Sequence, residues 1–475
     1  MMPKALQPSS VSDLAVEFAE FAATIDATTF EQEVAEAVKM NILDTLACGL
    51  AGSSAEAIGD VANLVAQWGG AREASVLVFG GKYPAHHAAM INASMCHARD
   101  YDDTHDAAIL HAGVTAVAAA LAAGELRGGI SGTDLMAAVA AGLEVTCRLG
   151  AATQVGIVES GWIYTPLLGY FGATAAAGRA LGLTANQMLN ALGIVYSSVS
   201  GNLQVITDAS LMKRFQPGLA AQAALVAVQL AQRGLRGVQE VFEGTNGFFR
   251  VYLQNRVSAD LAREQLGRRF EFLNLSYKPY PSCRCTHAAV DAVLDLRKES
   301  TERLGQVEDI KVGLTAAGYQ TVCVPEAVRL APSTVVEAQF SIPFTVAAAW
   351  LDGEVGLEQV SSQALTRSDI RSFAPKVHSY VDPEMDREWG RYVTPAAVQI
   401  RFDDGTVRSS RVNYMKGHPK NPMSRDDFRQ KTRDCADAAE IALPADTVDR
   451  LFATIDSLES LDDIATLIGI VSTRE

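Results

Sequence analysis

The sequence predicts a mostly helical protein, with a large all-helical domain joined to a smaller α+β domain. Three observations predict it. Apolar residues recur at helical spacing through about the first 270 residues. Period-two alternation appears only beyond Glu271. Helical pattern returns after about Lys416. The expected division is residues 1–270 with 417–475 as the helical domain and 271–416 as the α+β domain, the tail packing back on the first unit. At a prior of about 150 residues per domain, 475 residues accommodate this, and 48 % hydrophobic residues can fill a large core.

The elements follow in order. Residues 31–50 carry Val34, Val38, Ile42, Leu46 and Leu50 on one helical face, with Gly49 and Gly52 as stop signals. Ser131-Gly-Thr-Asp134 and Thr184-Ala-Asn-Gln187 resemble capping boxes before apolar runs. Residues 219–232 are apolar almost all round, which predicts a helix inside a bundle. Runs such as AVAAALAAG and GATAAAGRALG allow helices to approach closely. In the second region, 309–315 reads as a strand with Ile310, Val312 and Leu314 on one side. Residues 397–402 and 406–412 flank Asp403-Asp-Gly405 as a hairpin, since Gly accepts the positive φ of a tight turn. Helical runs are expected at 288–299, 336–351, 426–439 and 447–458.

Composition narrows function. Forty lysines and arginines against 55 acids give a net charge of −15, which argues against a nucleic-acid partner. An anionic substrate remains open, because a few cations in a cleft dominate locally. Seven scattered cysteines (48, 96, 147, 283, 285, 323, 435) do not form a disulfide framework, so reduced thiols and a cytoplasmic location are expected. The start, MMPKALQPSSVSD, has no basic-then-apolar leader pattern. The most apolar stretches, 114–124 and 135–143, read as too short to span a bilayer, so no membrane partner is expected.

Three segments concentrate polar groups in apolar surroundings. Residues 92–113 hold His97, Arg99, Asp100, Asp102, Asp103, His105 and His111. Acids with histidines suit general acid–base work or a divalent metal, although no helical ligand pair is present; the alternative is a solvated loop with helix caps. Lys213 and Arg214 precede the apolar helix, as a carboxylate-pairing ammonium or as a plain surface pair. Residues 276–287 present Lys278, Tyr280, Ser282, Cys283, Arg284 and His287 on a proline-stiffened loop. Cys283-x-Cys285 lacks the CxxC spacing of a zinc knuckle, and Cys283 before a helix is a candidate nucleophile without an acyl-transfer signature. Walker, GxGxxG and GxSxG patterns are absent.

Taken together, RDYDDTH (99–105), HAG (111–113), MKRFQPGLAAQAAL with RGLRG (within 212–237), YKPYPSCRCTHAAVDA (277–292) and EAQFSIPFTVAAAWLDGEV (337–355) resemble the MmgE/PrpD family. That family includes 2-methylcitrate dehydratase, cis-aconitate decarboxylase and iminodisuccinate epimerase. The resemblance implies a large helical domain plus a smaller α+β domain, usually in a homodimer, with the active site in the cleft between domains. It places an acid and a hydroxyl at Asp100 and Thr104, a histidine at His111, and lysines at Lys213 and Lys278. The decarboxylase branch has a histidine where this chain has Cys283, and a tyrosine that aligns with Tyr319. One departure stands out. Many members carry Gly-Trp-His-Pro-Thr, whereas this chain has Gly161-Trp-Ile-Tyr-Thr165.

The expected function is therefore a lyase with no metal and no cofactor, acting on a small di- or tricarboxylate. Dehydration of the 2-methylcitrate type leads; epimerisation or decarboxylation on the same scaffold are alternatives. A non-catalytic carboxylate-binding protein and a metal-dependent hydratase are further ones. In this reading Lys213 and Lys278 hold a carboxylate, one of them serving as base if its pKa is depressed. Arg284 grips a second carboxylate bidentately. His111 transfers the proton, oriented by Asp100, and Tyr319 is a candidate acid. Thr104, His105, Tyr164 and Cys283 complete the substrate-binding set.

Overall fold

The computed structural model describes residues 12–390 and 395–472; the leader reading falls largely on residues 1–11, outside them. Two hydrophobic clusters organise the chain. One runs from Leu14 to Leu275 and takes in Met423 to Val471; the other runs from Tyr280 to Met415. The first is a stack of helices, chiefly Gln32–Gly52, Ala85–His97, Gly113–Leu126, Gly132–Ala152, Tyr164–Ala180 and Met212–Gln232. Small residues permit the close packing. A Cβ at Gly218 would run into Ser94 and the Met90 carbonyl, so glycine there lets the 212–232 helix lie against the 85–97 helix.

The second cluster covers a four-stranded sheet in the order Val377–Val381, Val307–Leu314, Ala396–Phe402, Val407–Val412. The first two strands are parallel and the other pairs antiparallel. Ile310, Val312 and Leu314 are buried as their alternation requires, and Gly405 turns the hairpin at φ +81°. The Arg284–Lys298 and Ile342–Asp352 helices cover the sheet.

Four expectations change. The strand Val377–Val381 carries no alternation, because it is an edge strand with Tyr380 and Val381 exposed. The 336–351 run is two helices, Val335–Gln339 and Ile342–Asp352: Ser341 caps the second, and Pro343 in its first turn cannot donate to a preceding helix. The 219–232 helix begins at Met212 and is not enclosed: Leu219, Val226 and Leu230 are 37–41 % exposed along one face. Finally, the 135–143 stretch belongs to the helix Gly132–Ala152, which is long and apolar enough to cross a membrane by length and composition, yet 94 % of its apolar window is buried inside the protein. It is a core helix.

The two units meet where function is expected. Thr104–His105 pairs with Leu275–Ser276 in a short antiparallel ladder. Gln339 bridges them, its amide donating to the carbonyls of Arg99 and Pro281.

Candidate active site

The loop after the Ala85–His97 helix carries four aspartates, and each has a separate task. Asp100 sits in the left-handed region at φ +52°, a conformation Asp tolerates better than most residues. The turn aims its carboxylate at two lysines. Lys278 Nζ donates to Asp100 Oδ1 and to its carbonyl, both at 2.8 Å, and Lys213 Nζ lies 3.4 Å from the same Oδ1. Asp102 lies between two histidines, with Oδ2 2.8 Å from His97 Nδ1 and 3.1 Å from His111 Nδ1. Asp103 caps the Gly113–Leu126 helix by accepting from the Ala112 and Gly113 amides, each at 3.0 Å. Asp106 pairs with Arg284 and accepts from Ser276.

The result is a connected polar floor beneath a cleft of about 510 Å³ between the two units. Lys213 donates to His97 Nε2 at 3.3 Å, which fixes the His97 tautomer with Nδ1–H toward Asp102. His111 Nδ1 donates to the Asp103 carbonyl at 2.6 Å, so its Nε2 faces the cleft, 3.9 Å from Asp100 Oδ1. Asp100 Oδ2 and Thr104 Oγ1 are buried without a hydrogen-bond partner, and both residues line the cleft. Unpaired buried polar atoms at a cleft floor are where a ligand or water is expected to bond. His97, Asp102 and His111 also bring potential ligand atoms within 4.8 Å of one another, with the Lys213 ammonium beside them.

Electrostatics sort the roles. Burial alone would pull the Lys278 ammonium down, but Asp100 and Asp102 outweigh it and hold it above its ordinary value. Lys278 is thus a fixed cation, which corrects the reading of that lysine as a base. Burial would raise the Asp100 and Asp102 carboxyls, yet both are held well below the usual carboxylate range, by the two lysines and by the two histidines respectively. Burial lowers His97 from its ordinary 6.5 to about 4, against the pull of Asp102.

That last shift predicts a pH effect. Between pH 6.5 and 4 the unfolded chain carries a proton on this histidine that the folded chain lacks. Its stabilising contribution is complete above pH 6.5 and is lost as pH falls towards 4, by up to about 3 kcal/mol. Urea midpoints measured across this window should fall less steeply for His97→Gln than for the native protein.

The cysteine pair also lies in the cleft wall. The Cys285 thiol hydrogen-bonds Cys283, and with Lys278 nearby this holds the Cys283 thiol below its ordinary value, while Cys285 is pushed up. Burial raises Cys48, Cys96, Cys147, Cys323 and Cys435. Iodoacetamide at neutral pH should therefore modify Cys283 at least tenfold faster than those five, read by peptide mass spectrometry.

Of the residues singled out in the sequence, Asp100, Thr104, His111, Tyr164, Lys213, Lys278, Cys283 and Arg284 line the cleft. Four roles need correction. His105 is buried against Glu271 at 3.3 Å, outside the cleft lining, because it belongs to the short ladder with Leu275–Ser276 at the edge of the first cluster. Arg284 reaches the cleft wall, but its guanidinium is committed to Asp106, His287 and the Lys416 carbonyl, leaving no fork for a second carboxylate. The Tyr164 hydroxyl donates to the Val155 carbonyl at 2.5 Å and is not aimed at a substrate. Tyr319 is half-buried against the smaller core, while its neighbours Gly318 and Gln320 line the cleft. Within the 92–113 cluster the sequence names His97 and Asp102 but gives neither a role of its own. Both stand in the His97-x-x-Asp-x-Asp-Asp stretch, but only the fold shows that Asp102 links two histidines and that His97 touches Lys213.

A helical domain packed on a smaller α+β domain, with an acid–histidine–lysine cluster in the cleft between them, is the class of protein that the fold and site define. Residues 16–259 match the MmgE/PrpD N-terminal domain and residues 280–449 the MmgE/PrpD C-terminal domain, and the chain belongs to the MmgE/PrpD family. It is similar to the cis-aconitate decarboxylase-like protein oryM of Aspergillus oryzae, at 26 % identity over 93 % of both chains. The cis-aconitate decarboxylase of Aspergillus terreus is 25 % identical over 99 % of this chain and 98 % of its own. That of Mus musculus is 28 % identical over 90 % and 87 %.

Proposed function

We propose that this protein is an enzyme, a lyase that removes CO2 or water from a carbon next to a carboxylate. The observation that carries the reading is the convergence of Lys213 and Lys278 on Asp100 at the cleft floor, with His111 Nε2 3.9 Å from the same oxygen. The substrate carboxylate lies against the two ammonium groups and the Thr104 hydroxyl. Charge that builds up on this carboxylate as the neighbouring carbon becomes carbanionic meets cations already in place. His111 carries the proton, with Asp102 behind it to steady the protonated ring.

Decarboxylation is the preferred form. The C–C bond to the departing carboxylate breaks, CO2 leaves, and its electron pair spreads into the held carboxylate until His111 protonates the carbon. Dehydration needs in addition an acid for the departing hydroxide, and Tyr319, the tyrosine considered for it, packs against the smaller core outside the cleft lining. The relatives named as cis-aconitate decarboxylases support the same choice. We also propose that the chain works as a homodimer through the exposed face of the 212–232 helix; a solution mass of one chain would contradict this.

The test is proton NMR in D2O with a panel of unsaturated and hydroxylated di- and tricarboxylates. CO2 release with one deuteron in the product is expected. Loss of water from a hydroxy acid would indicate dehydration, and deuterium uptake alone epimerisation. Saturable binding without turnover would make the protein a carboxylate-binding protein instead.

A further inference from the structure

The cations free to face the cleft lie at one end of it. Among the described lining residues, the cations not already committed to protein partners of the wall are Lys213 and Lys278, since Arg284 is held by Asp106. Two aspartates, Asp100 and Asp102, stand against those two lysines, and His97 is held neutral by burial. The floor therefore offers its two ammonium groups to one bound carboxylate and holds no further cation for a second. Away from the floor the wall includes Val155, Ile157, Ile163, Ile206 and Phe340, contributed by both units, and the acid beside them, Glu159, is paired with Arg256. A cleft of about 510 Å³ is of the size that accommodates drug-sized ligands, about 300–1,000 Å³, and a compact polycarboxylate would leave most of it empty. Further carboxylates on such a molecule would face hydrocarbon without a counter-charge, at a heavy desolvation cost.

We propose that the substrate is an alkyl-substituted carboxylic acid. Its held carboxylate lies at Lys213 and Lys278, and an extended hydrocarbon arm lies along Val155, Ile157, Ile163 and Ile206, where a tricarboxylate would carry another acid group. This rests on the carboxylate-lyase reading above and specifies its substrate class. Any carboxylate lost as CO2 is the only other charge the substrate brings, and it leaves as a neutral gas.

The experiment is calorimetric titration of the full chain with methylsuccinate, butylsuccinate, hexylsuccinate and tricarballylate. Each added methylene buried should tighten binding about fourfold, so that hexylsuccinate binds at least a hundredfold tighter than methylsuccinate. Tricarballylate should bind more weakly than hexylsuccinate. Ile206→Glu should erase the chain-length gain, and Val158→Glu, at a 71 % exposed position of the same wall, gives the same reading without risk to the fold. Val407→Glu, at an exposed position of the outer strand of the sheet and outside the cleft lining, should leave the gain intact. A flat series with tricarballylate tightest overturns this inference and leaves the carboxylate-lyase reading standing. A gain that survives both wall variants also overturns it, since the tail would then bind outside the cleft. Failure of every acid to bind removes the lyase reading as well.

Discussion

Lys278→Met is expected to abolish turnover and to destabilise the fold by about 3–5 kcal/mol, the usual result of removing one partner of a buried ion pair. The lysine is 1 % exposed, and its ammonium holds both the Asp100 carboxylate and the Asp100 carbonyl at 2.8 Å. Methionine fills similar space but leaves the Asp100 carboxylate buried with one ammonium, that of Lys213 at 3.4 Å, and the His111 ring at 3.9 Å. Urea denaturation should show a lower midpoint at unchanged slope. Turnover should fall by a factor of about a thousand or more, because a preorganised cation facing the developing charge is lost. The two effects are separable. Adding Asp100→Asn to Lys278→Met removes the orphaned charge and should recover at least about half of the lost stability, by the asymmetry between breaking and replacing a buried pair. It should recover no turnover. If Lys278→Met kept near-native activity, the carboxylate-holding role of the cleft floor would be wrong.

The second large effect lies far along the chain. Lys431→Met is expected to cost another about 3–5 kcal/mol by the same mechanism. Lys431, on the tail helix Arg425–Asp437, donates to Asp44 at 2.6 Å and to the Tyr101 carbonyl at 2.7 Å. It is 3 % exposed, and its ammonium also lies 4.2 Å from the centre of the Tyr101 ring. One side chain thus ties the tail to the Gln32–Gly52 helix and anchors the backbone between Asp100 and Asp102. Losing it leaves the Asp44 carboxylate buried without its ammonium partner, with the Cys48 thiol at 4.0 Å. Turnover should fall about tenfold or more, since small displacements of catalytic groups are costly. Lys431→Met with Asp44→Asn should regain stability but not the anchoring of Tyr101, so its turnover should stay low. Equal recovery of both would mean that the tail acts on stability alone.

Much of the fold was legible because local and global preferences agree. The Thr184 capping box, the Asp-Gly hairpin and the 32–52 apolar stripe are all present as their residues require. The edge strand 377–381 was not legible, because its exposed face removes the alternation on which strand reading depends. The exposed stripe of the 212–232 helix was also hidden, since periodicity reports that residues are apolar but not what covers them. At the site, Asp100, His111, Lys213 and Lys278 could be named from residue type and family resemblance together. The division of labour among Asp100, Asp102, Asp103 and Asp106 could not be, because it depends on a left-handed turn at Asp100 and on partners up to 178 residues away. The same limit explains Arg284. Its type and position fit a carboxylate clamp, but the chain brings Asp106 to it first.

The central claim is that the lysine pair binds and His111 reacts. The measurement that tests it most directly is side-by-side determination of kcat and Kd for His111→Gln, using whichever acid the NMR panel shows to turn over. Glutamine retains a hydrogen-bonding group but cannot carry the proton. The account predicts a Kd within about threefold of native and a kcat reduced by about a hundredfold to ten-thousandfold, the usual worth of a positioned proton carrier. A kcat within tenfold of native would contradict it and move the proton transfer to another group in the cleft.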